Sequence, residues 1–441
     1  MNQVAHFKDY FSEDKLNGIY HSKIIHRATV GMDRIIPDVF DKELDKHISI
    51  ISKKVLAGRY HFTHYREVLI SKGRDSNPRV ISIPTIRDKV ALGALHAFLQ
   101  DSFRDIVEEP LLHTVIGKIT HTIKTSGFDS FVKVDIHRFY SSINHDVLIP
   151  KVAQKVKEDA AIALLKSAIS TATVPANALL EKNICNVKGV PEGLSISNIL
   201  ADIYLSDLKN IMTARYSIAY FRYVDDILIL CKSSDAELIQ HDITALIEII
   251  YKLQINDKKT YHGKLADGVP YLGYVFFDDR ICVRSGAIQK IENSIEALFR
   301  LRSRSAIGKE LFAWRLNLKI GGCIYESKKY GWLFYYSQLT DLSVLYHLDW
   351  FVDKQFERFR MEPILKRMRF VRTFHEITKN LDDSSYLINI DRYTDDQKRE
   401  LVHTVQEGKK VPEDSKELEK RFKAVMFKEI QKLEHDIQNF S

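Results

Sequence analysis

The residues with the clearest chemical potential are two adjacent aspartates, Asp225 and Asp226, which interrupt a run of apolar and aromatic residues. Burying ionised carboxylates costs free energy, because each one loses its hydration. Bound divalent cations would offset that cost, and two metal ions about 3.5–4 Å apart can catalyse in-line phosphoryl transfer. The pattern predicts a β-hairpin in which Tyr223 ends one strand, the aspartates form the turn and Ile227 continues into the next strand. A solvated surface turn is the alternative for these residues alone.

A third carboxylate ends a segment with the periodicity of a β-strand. Val132, Val134 and Ile136 alternate with other residues, so Asp135 is expected on the opposite face from this apolar row. A carboxylate at the end of a buried strand could complete a two-metal site that is supplied by non-adjacent strands. The alternative is an aspartate that caps a helix beginning near Tyr140.

Two further segments carry residues suited to a ligand. Gly189 and Gly193 would let the backbone approach a bound molecule closely, and Ser195 could cap the apolar helix that follows. Lys72 and Arg79 flank a turn between two β-like runs, so both could point at one anion. A triphosphate suits them, because arginine grips phosphate through a fork and lysine acts as a point charge. The alternatives are an ordinary loop-to-helix entry and a solvated basic hairpin.

In this order the segments resemble the motifs of reverse transcriptases of the bacterial, group II intron-like branch, over about residues 25 to 350. The matching palm motifs are Asp135 and residues 189–197, 223–226, 258–260 and 271–274, and the finger segments are 31–60 and 66–89. The resemblance implies an α+β right-hand polymerase, with fingers, a palm containing an antiparallel sheet, a helical thumb and a helical C-terminal extension. We place these parts at 1–130, 131–285, 286–360 and 361–441.

The resemblance also implies roles for individual residues. The metal ligands would be Asp135, Asp225, Asp226 and the backbone carbonyl of Ile136. The nucleotide-binding residues would be Lys72, Arg79, Tyr140, Glu192 and Gly193. Tyr140 would be the aromatic gate against a 2′-hydroxyl, and Lys259 the proton donor to pyrophosphate, with Lys258 as the competing choice. Leu272 and Gly273 would grip the primer. The expected cofactor is Mg²⁺, with Mn²⁺ as the alternative.

One residue departs from the family pattern. The family usually has glutamine after the proline of its second palm motif, where this chain has Glu192. An acid there adds negative charge beside a triphosphate. We therefore expect either that Glu192 turns elsewhere or that an arginine or lysine pairs with it.

The composition agrees with an enzyme that acts on nucleic acids, and it argues against a zinc protein, a disulfide-stabilised protein and a membrane protein. The chain has 441 residues, 45% of them hydrophobic, which predicts a sizeable core in two or three subdomains. A formal net charge of +7 is mild, so the positive charge must be concentrated in a channel to attract phosphate backbones. The four cysteines are widely spaced, which indicates neither a zinc site nor a disulfide framework. No signal peptide or membrane-length apolar run is present, so we expect a cytoplasmic protein without membrane contact.

The C-terminal part has helical patterns. The spacing of apolar residues predicts a thumb helix through Ile288, Ile291, Ile295, Leu298 and Leu301. Basic and aromatic residues alternate over 315–323 and 330–336, where they could bind bases and phosphates or simply pack inside the thumb. A capping-box pattern at 414–417 predicts a final helix. Its apolar stripe, which must pack on the body or on another subunit, consists of Phe422, Met426, Ile430, Leu433 and Ile437.

The biological role is inferred from resemblance. Residues 361–441 are few for a maturase region plus a nuclease domain, and they contain no Cys/His cluster. We therefore expect a domesticated enzyme similar to the "unknown group" and abortive-infection reverse transcriptases of phage defence. It would copy an RNA template or a noncoding RNA into DNA from deoxynucleoside triphosphates, and it could form a homo-oligomer.

Three alternatives remain. The first is a retron or intron-derived reverse transcriptase. The second is an RNA-directed RNA polymerase, against which the aromatic residue at Tyr140 argues. The third is a catalytically silent RNA-binding protein, which would not need Asp135, Asp225 and Asp226 together.

Overall fold

The computed structural model describes residues 6–25, 29–70, 77–107, 112–178, 185–406 and 414–437. The strands are β1 (Tyr65–Ile70), β2 (Arg79–Ile83), β3 (Ser130–Asp135), β4 (Thr173–Val174), β5 (Ala219–Tyr223), β6 (Asp226–Cys231), β7 (Tyr261–Lys264), β8 (Val269–Tyr271), β9 (Tyr274–Phe276), β10 (Ile281–Val283), β11 (Cys323–Tyr325) and β12 (Lys328–Tyr330). No helix among the described residues is both long and apolar enough to cross a bilayer.

Helices make up most of the remaining regular structure. They are α1 (Phe7–Tyr10), α2 (Glu13–Ile19), α3 (Pro37–Phe40), α4 (Leu44–Leu56), α5 (Ile86–Ser102), α6 (Leu112–Thr125), α7 (Phe139–Ser142), α8 (His145–Ala153), α9 (Asp159–Ser170), α10 (Ser197–Tyr204), α11 (Leu208–Arg215), α12 (Ala236–Ile249), α13 (Ser285–Ser303), α14 (Lys309–Gly321), α15 (Trp332–Tyr335), α16 (Ser343–Arg358), α17 (Phe370–Lys379), α18 (Asp395–Val405) and α19 (Ser415–Ile437).

The chain forms two compact units that interleave in sequence. The first comprises Met1–Pro110 and Phe128–Gly263, and the second comprises Leu111–Gly127 and Lys264–Ser441. Helix α6 therefore belongs to the second unit, where the side-chain amide of Gln338 donates to the carbonyl of His113 at 2.6 Å. The predicted palm, 131–285, contributes to both units, and the limits of fingers, palm, thumb and extension remain a prediction.

The first unit contains a four-stranded sheet in the order β5–β6–β3–β7. Strand β6 runs antiparallel to both β5 and β3, and every residue of β3 and β6 is buried. Helix α12 packs against β3 and buries Ile239, Ile243 and Ile247. The register pairs Asp135 at the end of β3 with Asp226 at the start of β6. The core of the sheet thus extends to the pair of carboxylates at the ends of its two central strands.

A second sheet of the first unit carries Arg79. Strand β1 pairs antiparallel with β2 and parallel with β4, and Arg79 begins β2 opposite Ile70. The two strands of the predicted hairpin are therefore present and paired. Its partner cation Lys72 lies outside the described residues.

The predicted thumb helix is α13 of the second unit. Ile291, Ile295 and Leu298 are buried, as the periodicity predicts, and Ile288 is partly buried. Leu301 also lies in this helix, as predicted, although its side chain is 44% exposed. Phe299 occupies the core instead, with its ring centroid 5.0 Å from that of Phe312 on α14.

The basic and aromatic segments between 315 and 336 serve packing. Trp332, Phe334 and Tyr336 are buried. The Arg315 guanidinium donates to both carboxylate oxygens of Glu429 on α19, at 3.0 and 2.7 Å. These contacts favour the packing alternative over a nucleic-acid surface.

The final helix begins where the capping pattern predicts it. The Asp414 carboxylate accepts a hydrogen bond from the backbone N–H of Glu417 at 2.9 Å. The predicted stripe is buried except for Ile437, which is only partly so. It joins a cluster in the same unit, formed by Leu318, Cys323, Ile390, Leu401, Val402, Leu418, Phe422, Met426, Ile430 and Leu433. The stripe therefore packs on the body of its own unit.

Replacing Glu429 by glutamine should destabilise the protein, because the Arg315 guanidinium, only 17% exposed, would lose its counter-charge. We expect the free energy of unfolding to fall by about 3 kcal/mol, the size typical of a broken buried pair. The matched control is Glu43→Gln, which removes the carboxylate of an exposed pair with Lys46 and should leave stability unchanged. Denaturant unfolding measures both variants, and equal stabilities would contradict the prediction.

This contribution should also depend on pH. Burial raises the pKa of Glu429, but hydrogen bonds from Arg315 and Lys432 outweigh burial and hold it below the ordinary 4.5. The stabilisation is therefore complete above the ordinary pKa and is lost as the pH falls through the lowered, folded-state pKa.

Candidate active site

The predicted hairpin is present, with one change in its turn. Strand β5 ends at Tyr223 and β6 begins at Asp226, so the turn is Val224–Asp225 and Asp226 already belongs to the strand. The prediction that both aspartates form the turn is therefore wrong by one residue. Val224 reverses the chain with a φ of 58°, a left-handed conformation that β-branched residues rarely adopt. Such strain is often associated with functional sites.

The surrounding polar contacts hold this turn. The guanidinium of Arg222 donates to the carbonyl of Val224 at 3.2 Å and to the carboxylate of Asp202 on α10 at 2.9 Å. The strained turn is thus tied to a helix of the same unit. The backbone that leads into Asp225 is therefore held in place by these hydrogen bonds.

Asp135 lies opposite Asp226 and does not cap a helix. Its carboxylate accepts a hydrogen bond from the Asn256 side chain at 2.9 Å, and its N–H donates to the hydroxyl of Thr260 at 3.2 Å. Helix α7 begins after Arg138, without a side-chain cap. The helix-capping alternative for Asp135 is therefore wrong.

The carboxylates share an environment with excess negative charge. Burial raises the pKa of Asp226 to about 7; the Lys133 ammonium, 3.6 Å away, opposes this shift, and Asp225 and Asp135 add to it. Burial also raises the pKa of Asp225, with further contributions from Asp135 and Glu192 and opposition from Arg79. Positive charge near these oxygens would stabilise their ionised form.

This donor set fits a hard divalent cation. Carboxylate oxygens and a backbone carbonyl, such as that of Ile136 directly after β3, are the ligands that Mg²⁺ prefers. Among the described residues, no three Asp, Glu, His or Cys side chains converge closely enough to hold a metal by themselves. Magnesium is commonly bound by one or two carboxylates together with substrate phosphates. The residues therefore fit an ion whose coordination a triphosphate completes.

Lys259 is the lysine of its pair that lies near the carboxylates. Its ammonium is 3.9 Å from the Asp135 carboxylate, and its side chain is 46% exposed. This position allows contact with both a carboxylate and a solvent-borne ligand. Lys258 is exposed, and the structure gives it no comparable contact.

Tyr140 is fixed beside the glycine-containing segment. Its hydroxyl donates to the Asn198 side chain at 2.6 Å, and its residue is 8% exposed. Its carbonyl accepts from the N–H of Val190 at 2.8 Å. Burial raises the pKa of Tyr140, and the nearby Asp225 adds to the shift. The ring is thus neutral and rigidly held.

The two glycines let the chain approach itself. Gly189 has a φ of 88°, and a Cβ there would lie 2.9 Å from the carbonyl oxygen of Ser141. Gly193 has a φ of 96°, and its Cβ would lie 2.7 Å from the side chain of Ile81. The chain therefore comes close to α7 at Gly189 and to β2 at Gly193, while its close approach to a ligand stays a prediction. Both positions demand glycine on conformational grounds.

The predicted cap at Ser195 is wrong. Helix α10 begins at Ser197, whose hydroxyl donates to the carbonyl of Pro191 at 2.8 Å. Ser195 is exposed and lies in the turn before the helix. Leu194 and Ile196, which flank it, are buried and set this turn.

The departure at Glu192 is resolved by pairing. The Glu192 carboxylate accepts a hydrogen bond from the Arg79 guanidinium. Of the two expectations, an arginine partner is thus confirmed. The arginine is the same one that the resemblance assigns to the triphosphate.

The predicted primer-grip residues belong to the second unit. Leu272 and Gly273 form the turn between β8 and β9, with φ angles of 49° and 80°. The carbonyl of Leu272 accepts from the Tyr335 hydroxyl at 3.0 Å, and that of Gly273 from the N–H of Arg284 at 2.9 Å. The turn is therefore held on both sides within its unit.

Sequence reasoning missed several residues that hold the site. They are Lys133, Asn198, Asp202, Arg222, Asn256 and Thr260. Lys133 had a usable signal, because it shares its strand face with Asp135. Arg222 contacts Val224 within the same hairpin. Asn198, Asp202, Asn256 and Thr260 instead reach the site through contacts with residues that are distant in the sequence.

Comparisons with known proteins bear on this geometry. Residues 70–276 match the family model described as reverse transcriptase (RNA-dependent DNA polymerase). Protein YkfC of Escherichia coli K12 is 22% identical over 292 residues, covering 56% of this chain and 75% of YkfC. The group II intron-encoded protein LtrA of Lactococcus lactis subsp. cremoris is 22% identical over 349 residues, covering 61% of this chain and 57% of LtrA.

Two other similarities are more partial. The uncharacterized 91 kDa protein in the cob intron of Schizosaccharomyces pombe is 26% identical over 213 residues, covering 46% of this chain and 25% of that protein. Among solved structures, apo telomerase from Candida tropicalis, truncated from its C-terminal domain, matches with a TM-score of 0.39 and 16% identity. That match covers 58% of this chain and 63% of the telomerase chain.

The family match spans β2 through β9 and includes Asp135, Asp225 and Asp226. It confirms the predicted fold class, an α+β right-hand polymerase. The resemblance to one defence-associated branch stays a prediction. Residues 70–276 of this chain therefore match the domain of reverse transcriptases, the RNA-dependent DNA polymerases.

Proposed function

We propose that this protein is an RNA-directed DNA polymerase whose metal ligands are Asp135, Asp225, Asp226 and the carbonyl of Ile136. The observation that carries the proposal is the register of β3 and β6, which pairs Asp135 with Asp226 inside a reverse transcriptase domain. The raised pKa of Asp226 supports it, since a cation would offset both the burial of this carboxylate and its repulsion by Asp225 and Asp135. Its substrates are deoxynucleoside triphosphates and an RNA template, and its product is DNA. Mg²⁺ is the proposed ion and Mn²⁺ the alternative.

The reaction joins the primer 3′-oxygen to the α-phosphorus and releases pyrophosphate. Bound divalent ions would supply electrostatic stabilisation of the attacking and leaving oxygens. Arg79 and Lys72 would bind the phosphates, and the backbone at Gly193 would border the nucleotide. Lys259 would donate a proton to the leaving pyrophosphate oxygen. Its place 3.9 Å from the Asp135 carboxylate supports that role.

Tyr140 would select the sugar. Its ring is held by the hydrogen bond to Asn198 and by the backbone contact with Val190. A rigid ring can exclude a 2′-hydroxyl by steric overlap, because neither its side chain nor its backbone can yield cheaply. Leu272 and Gly273 would position the primer end.

The biological setting is proposed on resemblance. We infer a cytoplasmic enzyme that acts with a noncoding RNA in defence against phages. The similarity to LtrA and to the cob-intron protein favours the alternative, an intron-derived reverse transcriptase. The proposed limits of its parts are 1–130 for the fingers, 131–285 for the palm, 286–360 for the thumb and 361–441 for the extension.

Replacing both Asp225 and Asp226 by alanine should abolish incorporation of deoxynucleotides on a primed RNA, because the metal ions would lose two ligands. The matched control is Asp278→Ala with Asp279→Ala, which removes another adjacent pair of aspartates from an exposed hairpin turn. Primer extension with Mg²⁺ or Mn²⁺ measures both variants. Undiminished synthesis by the first variant would falsify the assignment.

Replacing Tyr140 by alanine should raise the ratio of ribonucleotide to deoxynucleotide incorporation, because the ring that excludes the 2′-hydroxyl is removed. Tyr140→Phe is the control, since it keeps the ring and loses only the hydrogen bond to Asn198. Competition assays give the ratio, and denaturant unfolding checks that the alanine variant folds. An unchanged ratio in a folded, active alanine variant would assign Tyr140 to packing alone.

Expressing the gene with its flanking DNA should lower the plating efficiency of at least one phage in a broad panel. The Asp225/Asp226 double variant should restore plating, whereas the Asp278/Asp279 control should still protect. Protection that survives loss of the site aspartates would contradict a catalytic defence role. No protection against any phage would favour the intron-derived or retron alternative.

A further inference from the structure

The ion pair between Arg79 and Glu192 has a role that the catalytic aspartates do not explain. The Arg79 guanidinium donates to the Glu192 carboxylate, and the two side chains are 47% and 25% exposed. Arginine binds carboxylate and phosphate through the same fork of donors. Glu192 occupies the Nε donor of Arg79, so a phosphate that binds through the Nε side of the guanidinium competes with this carboxylate.

The backbone keeps these two residues together. The N–H of Ser82 on β2 donates to the carbonyl of Glu192 at 2.7 Å. The next residue, Gly193, lies so close to Ile81 that a Cβ would come within 2.7 Å of its side chain. Arg79 is on the same strand β2, three residues before Ser82. The pairing thus follows from main-chain contacts and does not depend on two long side chains meeting by chance.

The pair borders the carboxylate site. The N–H of Val190, two residues before Glu192, donates to the carbonyl of Tyr140 at 2.8 Å. The charges of the pair act on Tyr140 in opposite directions: burial and Asp225 raise its pKa most, Arg79 lowers it and Glu192 raises it further. A ligand that contacts Asp225 and Tyr140 would therefore lie within the field of both members of the pair.

Pairing changes what Arg79 offers to an anion. With Glu192 bound to it, the arginine contributes little net positive charge at the site. A partly exposed pair is weak, so a multiply charged phosphate can displace the carboxylate into solvent. The ion pair thus orients the arginine before the phosphate binds, but the phosphate can bind its Nε side only when this ion pair is broken.

We propose that Glu192 is a positioning residue that orients Arg79 for the incoming triphosphate and lowers the affinity for that triphosphate. This inference rests on the proposed function. Glutamine, usual at this position in the family that the chain resembles, would carry no charge and would compete less. The glutamate therefore sets a higher nucleotide requirement in this chain.

The test is steady-state incorporation of one deoxynucleotide on a primed RNA oligonucleotide at varied nucleotide concentration. Glu192→Gln should lower KM roughly fivefold, the size expected for loss of a partly exposed ion pair. It should leave kcat unchanged, because the competition affects ground state and transition state alike. Arg79→Gln should raise KM, and Glu192→Gln added to Arg79→Gln should have no further effect. Glu43→Gln, in the exposed pair with Lys46, is the matched control and should change neither constant.

Other outcomes would overturn the inference. An unchanged KM in Glu192→Gln would mean that the pair does not compete with nucleotide. A lower kcat would assign Glu192 to the chemical step. A fall in KM that persists in the Arg79→Gln background would show direct repulsion instead of action through Arg79.

A second measurement applies to variants that do not incorporate nucleotide. Calorimetric titration of the intact protein with magnesium tripolyphosphate should give tighter binding to Glu192→Gln than to the parent. Equal binding would contradict the inference. If the parent incorporates no nucleotide on any primed RNA, the proposed function fails, whereas an active parent with no effect of Glu192→Gln overturns only the role of Glu192.

Discussion

The candidate site depends on the register between β3 and β6. Because side chains alternate along a strand, a slip of one residue would move Asp135 to the other face and separate it from Asp226. Both strands are buried along their whole length, so the apolar residues that fix the register lie in the core. The energy that assembles the carboxylates is therefore hydrophobic, while their own interaction is repulsive.

The rest of the first unit limits that repulsion. Lys133 approaches Asp226, Asn256 binds the Asp135 carboxylate, and Lys259 remains partly exposed nearby. These contacts leave the site with more acid than base, which distinguishes it from a structural ion-pair network. Two buried carboxylates of the second unit are instead each paired with a cation, Glu429 with Arg315 and Asp436 with Lys319.

Much of this site could be predicted from local patterns. The alternation of Val132 and Val134 located Asp135, and the apolar run after Asp226 located the next strand. The predictions failed where packing decided the outcome. The turn contains Val224 in place of Asp226. The left-handed backbone conformation of Val224 lets Asp226 pair with Tyr223 in the strand register. Asn256 and Thr260 could not be predicted, since they reach Asp135 only after the fold brings distant segments together.

The interleaving of the two units bears on how the chain is made. Helix α6 is synthesised between two segments of the first unit, yet it belongs to the second, most of which follows Lys264. Its apolar face, which includes Val115, Ile116 and Ile119, is buried. During translation this helix therefore emerges before the strands that carry the aspartates and before most of the unit to which it belongs. For the same reason a single cut at any position would leave at least one unit incomplete.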